Sequence, residues 1–193
     1  TVKVRDMDIA YWKFEEEGTR KPPVIGLHGG PAFTHNYILP LKLLAASGYP
    51  VILYDQAGCG MSTNGVNNPA ESAPHLLTIE YYVEELKALV SQLEIAEHYV
   101  FGSSWGSVLA QEYAVTLPKG LLGLVLDGAL ADGQTYIKTQ WRDRISQLPS
   151  FTQKLLRKLE NEKACVLWMP ASKLSRAMSM PRLTTSVRLV DQV

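Results

Sequence analysis

Gly102-Ser103-Ser104-Trp105-Gly106 sets a serine midway between two glycines at G-x-S-x-G spacing. An apolar run, Tyr99 to Gly102, precedes it, and residues at helical spacing, Val108 to Leu117, follow it. A serine in that setting is a candidate nucleophile. A tight strand-to-helix turn lifts its Oγ above the sheet edge, and the glycines two before and two after it let the backbone turn sharply. An isolated pentapeptide of this kind also describes an ordinary glycine-bounded turn, so the flanking elements carry the reading. A second segment, His28-Gly29-Gly30-Pro31, leaves an earlier apolar run. A tetrahedral oxyanion needs two converging N–H donors, and the natural pair here is the amide of Trp105, next after the serine, with that of Gly30. His28 reads as a residue that fixes this loop by hydrogen bonding rather than as a base.

The elements that must position these groups follow from the hydrophobic pattern. Val2 to Asp6 and Ile9 to Phe14 read as short strands, Pro23 to Leu27 as a strand running into the glycine loop, and Asn36 to Ala46 as a helix stopped by Gly48. Pro50 to Tyr54 is a further strand, closed by the glycine-rich loop Asp55 to Ser62, and Asn64 to His75 is loop. From Thr78 onward Ile79, Tyr82, Val83, Leu86, Leu89, Val90 and Leu93 repeat at steps of three and four, which predicts an amphipathic helix. Tyr99 to Gly102, Val108 to Leu117 and Leu121 to Leu126 then alternate strand, helix, strand. This order implies a mainly parallel sheet covered on both faces, an α/β fold. Gly133 to Lys163 reads as two polar helices parted by Leu148-Pro149-Ser150.

The 193 residues are 46% hydrophobic and 20% charged, with 19 basic and 19 acidic side chains. That composition fits a globular domain and gives no basic footprint for nucleic acid or anionic lipid, so neither partner is expected. The uncharged stretch Pro22 to Leu41 is broken by four prolines and three glycines, which argues against a membrane span. Cys59 and Cys165 stand far apart, and no signal-peptide pattern opens the chain, so a cytoplasmic setting is expected. Cys59 itself reads as a buried structural thiol. Beyond Ala164 the texture changes: four basic residues accompany one acidic residue, and Met169, Met178 and Met180 fall in a stretch without sustained periodicity. Residues 164–193 are therefore expected to be a poorly ordered basic tail. Oligomeric state is left open.

His28-Gly29-Gly30-Pro31, Asp55-Gln56-Ala57-Gly58-Cys59-Gly60-Met61-Ser62 and Gly102-Ser103-Ser104-Trp105-Gly106, in this order, resemble the proline iminopeptidase family of serine α/β-hydrolases, together with its amino-acid amidase relatives. Ala32 and Ala57 depart from the glycine and arginine common in that family. The resemblance implies an α/β-hydrolase core over residues 1–132 and the start of a helical cap over 133–163. It implies a short peptide or amino-acid amide as substrate, with an acyl-enzyme formed on Ser104 to release the N-terminal residue. Neither a metal nor an organic cofactor is implied. Acidic residues of the cap hold the substrate amine in such enzymes, but Glu160 and Glu162 match no such position and read as solvated charges.

Such hydrolases supply their catalytic groups in the chain order Ser, Asp or Glu, His. All four histidines, His28, His35, His75 and His98, precede Ser104. Asp127 could stand in an alternative acid position, yet an acid without its histidine orients nothing. His98 belongs at the far end of the strand leading to Ser104, and His35 and His75 read as surface histidines. The economical expectation is a shortened form of a longer relative, weakly active or inactive for want of the triad Asp and His. A non-catalytic ligand-binding protein and an esterase are the alternatives.

Overall fold

In the computed structural model, residues 1–4, 7–30, 33–62 and 78–161 are described. His75, Glu162 and the expected tail over 164–193 lie outside the described residues. The order of elements is β1 (Val2–Val4), β2 (Met7–Ile9), β3 (Tyr11–Phe14), β4 (Val24–Leu27), a 3₁₀ helix (His35–Ser47) and β5 (Val51–Tyr54). There follow α1 (Ile79–Gln92), β6 (His98–Ser103), α2 (Trp105–Val115), β7 (Leu121–Asp127), α3 (Gly133–Asp143), a 3₁₀ turn (Ile145–Gln147) and α4 (Ser150–Asn161). The main sheet runs β3-β5-β4-β6-β7, parallel throughout except for the antiparallel edge strand β3. No helix among the described residues is long and apolar enough to cross a membrane.

Every residue of β4 and β5 is buried, as unbroken apolar runs require in a sheet covered on both sides. Helices α1 and α2 cover one face, with Leu86, Leu89 and Leu109 packed among Ile25, Leu27 and Ile52. The 3₁₀ helix covers part of the other, where Ile38 meets Val51 and Leu53. Helix α1 starts where Thr78 accepts a hydrogen bond from the Tyr81 N–H, a side-chain cap.

Three expectations are corrected. The predicted strand Ile9 to Phe14 is divided at Ala10, where the chain passes from the β1–β2 ribbon into the main sheet and the Ala10 N–H is taken by Ser62 Oγ at 2.8 Å. The predicted helix over Asn36 to Ala46 is wound as 3₁₀, with Pro40 inside it; proline has no N–H to give and its ring crowds an α-helical turn. Helix α2 begins at Trp105, three residues ahead of its apolar period, directly after the candidate nucleophile.

The register places the site. Leu27 pairs with Gly102 and Ser103 with Asp127, so β4, β6 and β7 finish side by side and their carboxyl ends deliver the glycine loop, the serine and an aspartate to one edge.

Candidate active site

Ser104 stands between β6 and α2 with φ 53 and ψ −116, a backbone conformation that non-glycine residues rarely hold. Such a conformation costs about 1–3 kcal/mol and persists only where its surroundings enforce it. Here the Ser104 N–H donates to the Asp127 carbonyl at 2.8 Å. The Ser104 carbonyl accepts from the Ser107 N–H at 2.9 Å and from Ser107 Oγ at 2.6 Å. The side chain is exposed, as attack on an incoming carbonyl requires.

The two motif glycines are explained by their neighbours. A Cβ on Gly102 would lie 2.3 Å from the Gly106 carbonyl oxygen, and one on Gly106 would lie 2.2 Å from that of Leu27. These are backbone atoms that cannot swing aside. Gly29 meets the same crowding from the other side, since a Cβ there would come within 3.0 Å of the Ser104 Cβ and of the Ser103 carbonyl oxygen. The glycine loop and the elbow are thus in contact. Gly30, with φ 118, follows at once and is exposed.

Gln56 joins the three motif segments. Its Nε2 donates to the His28 carbonyl at 2.8 Å, and its Oε1 accepts from Trp105 Nε1 at 3.0 Å. Its backbone N–H donates to His28 Nε2 at 3.0 Å. A backbone amide can only donate, so Nε2 must accept and the ring proton sits on Nδ1, which donates to the Gly29 carbonyl at 2.9 Å. Burial lowers the His28 pKa, which keeps this ring neutral. With both nitrogens engaged, His28 braces the loop, as its position in the sequence suggests.

The loop after β5 is held by two carboxyl groups. Asp55 Oδ1 accepts from the His35 N–H at 2.9 Å and pairs with His35 Nδ1 at 2.8 Å, while Oδ2 accepts from the Met61 N–H at 3.0 Å. His35, expected at the surface, is instead stacked on Trp12 with ring centroids 3.7 Å apart and turned to a buried carboxylate. Glu85 Oε2 accepts from the Ala57 N–H at 2.9 Å, and burial pushes this carboxyl up to about 8. Cys59 is buried.

Asp127 lies beside the elbow, where its Oδ2 accepts from Ser103 Oγ at 2.8 Å. His98, the first residue of β6, is buried at the opposite end of that strand against the Tyr113 hydroxyl at 2.9 Å. Sequence reasoning singled out neither Gln56, Glu85 nor Tyr37, whose hydroxyl accepts from the Gly29 N–H at 2.5 Å.

The sequence pattern of the alpha/beta hydrolase fold matches residues 22–178. A proline iminopeptidase of Clostridioides difficile (strain 630) is 38% identical over 148 residues, 76% of this chain and 48% of that protein. The crystal structure of a proline iminopeptidase from Mycobacterium smegmatis superposes with a TM-score of 0.68 at 32% identity, covering 84% of this chain and 54% of that one. That of VinJ gives 0.71 at 31%, covering 94% and 62%. The chain spans about half the length of the curated relatives it matches.

Proposed function

The chain belongs to the alpha/beta hydrolase fold family, and on that premise we propose that it carries the nucleophile half of a serine hydrolase of the proline iminopeptidase type. Its substrates are short peptides or amino-acid amides with a free N-terminal residue. The observation that carries this reading is the exposed Ser104 at its strained turn, with Gly29 against its Cβ. Ser104 Oγ bonds to the substrate carbonyl carbon while its proton passes to a general base. The oxyanion so formed takes the N–H groups of Gly30 and Trp105. As the C–N bond breaks, the base returns the proton to the leaving amine. Water then attacks the acyl-serine by the same route and frees the residue. Residues 133–163, in which α3 and α4 follow β7 along the chain, are read as the start of a helical cap.

None of the four histidines follows Ser104, and His28, His35 and His98 are committed to Gly29 and Gln56, to Asp55 and to Tyr113. This favours a second reading, binding without turnover, for these 193 residues by themselves. Hydrolysis of prolyl and alanyl arylamides separates the two. Loss of a triad member leaves an acceleration of about 10³ to 10⁴ over water from the oxyanion donors and binding. The expected result is slow turnover that rises with added imidazole, a soluble stand-in for the base, and is abolished in Ser104→Ala. Release that is indifferent to both imidazole and Ser104→Ala, with ligand still bound, establishes the second reading. Fast turnover without imidazole, lost in Ser104→Ala, reveals a base outside the three histidines named.

A further inference from the structure

We propose that Tyr37 is a positioning residue that sets the direction of the Gly30 N–H toward the oxyanion on Ser104; this rests on the reading of Ser104 as nucleophile. The Tyr37 hydroxyl and the Ser104 Cβ both lie within 3.0 Å of the point where Gly29 would carry a Cβ, so Tyr37 and the elbow close on the same glycine. Its oxygen accepts the Gly29 N–H at 2.5 Å, which removes that amide from competition for the oxyanion. The Gly29 carbonyl is held from another side by His28 Nδ1 at 2.9 Å. The peptide linking Gly29 to Gly30 is planar and trans, so its N–H points opposite to its C=O. With the carbonyl drawn to the buried imidazole, the Gly30 N–H faces away from it, and the Tyr37 bond anchors the peptide plane before Gly29, so the two bonds together restrain both dihedrals of residue 29. Position 29, whose dihedrals aim the Gly30 N–H, is itself a glycine with little conformational preference of its own, so the restraint must come from outside.

Tyr37 is itself held. It lies in the first turn of the 3₁₀ helix, whose opening residue His35 is bonded twice to Asp55 and stacked on Trp12. Its ring meets Phe33 edge-on with centroids 6.0 Å apart. The exposed ring of Tyr37 is therefore kept in place for its hydroxyl rather than for burial.

The test uses pyrrolidine-2-boronic acid and 1-aminoethylboronic acid. Each trigonal boronic acid joins Ser104 as a B–O bond forms and the serine proton leaves to water, giving a tetrahedral anion that needs the oxyanion donors but, at equilibrium, no base. Boron-11 NMR reads the adduct, with Ser104→Ala as control. Tyr37→Phe keeps the ring and its contact with Phe33 and removes only the oxygen. The expected result is boronate affinity about 10-fold or more weaker, binding of planar prolinamide and alaninamide changed less than about 2-fold, and an unaltered thermal midpoint. Amide exchange at Gly29 should accelerate at least about 10-fold. Equal losses for boronate and amide, or unchanged Gly29 exchange, overturn the role of Tyr37. An adduct that forms and is indifferent to Tyr37→Phe does so too. No adduct in the unsubstituted chain overturns the Ser104 reading, and this inference with it.

Discussion

At the scale of single residues, Gln56 has the largest consequences for its size. One amide side chain satisfies the His28 carbonyl and the Trp105 indole, both buried, and so ties the glycine loop to the first residue of α2. Gln56→Leu fills similar volume but leaves a donor and an acceptor without partners. Each such group costs about 1–3 kcal/mol, so stability to urea should fall by about 2–6 kcal/mol. Indole Nε1–H exchange at Trp105 should quicken, and a fall below about 1 kcal/mol would show that water replaces the amide. Ser104 was legible in the sequence because its chemistry depends on neighbours two residues away. Gln56 was quoted within a motif without its role, because its partners lie 28 and 49 residues off and only strand order brings them near. Tyr37 escaped for a related reason: it acts through Gly29, across a loop that no periodicity describes.

At the scale of elements, helix α1 does more than cover the sheet. It sends Glu85 under the loop after β5, where the carboxyl takes the Ala57 N–H and lies fully buried beside Tyr54 and Tyr82, whose own hydroxyl pKa values burial raises. The folded state binds the Glu85 proton more tightly than the unfolded chain does, with its pKa raised from 4.5 to about 8. The stability it lends is therefore complete below the unfolded value and is lost as pH rises toward and through about 8, at no more than about 1.4 kcal/mol per pH unit. Glu85→Gln, which keeps an acceptor for Ala57, should flatten that slope between pH 5 and 8 and be the more stable form at the upper end. Urea midpoints across that range decide it, and parallel curves for the two proteins would refute it. The helix itself was plain from its apolar spacing, yet the same pattern gives no hint that a glutamate faces inward. In α2 the pattern misled by three residues, since Trp105-Gly106-Ser107 is chosen for the elbow and for clearance of the Leu27 carbonyl rather than for helical periodicity.

At the scale of the whole molecule, burial is unevenly shared. Strands β1, β2, β4, β5 and β6 and the helices α1 and α2 hold most of the described core, whereas β7 leaves Leu122 44% and Val125 54% exposed along the edge of the sheet. Beyond it, α3, the 3₁₀ turn and α4 present Leu148, Phe151 and Leu155 to solvent, with Phe151 75% exposed. Segments with few buried apolar contacts open at lower free energy than the core they adjoin. Backbone amides of α3 and α4 should therefore exchange well ahead of those in β4 and β6, in the same sample and without denaturant. The side chains should follow suit. Leu86→Ala empties a fully buried position in α1 and should cost about 2–5 kcal/mol, while Phe151→Ala removes a larger ring from solvent and should stay within about 0.5 kcal/mol. A loss on Phe151→Ala that approaches the Leu86→Ala value would mean that α4 is packed against apolar surface in solution, and exchange in α3 and α4 would then have to be slow as well. The two measurements constrain each other, because one reads the backbone and the other the side chains of the same segment.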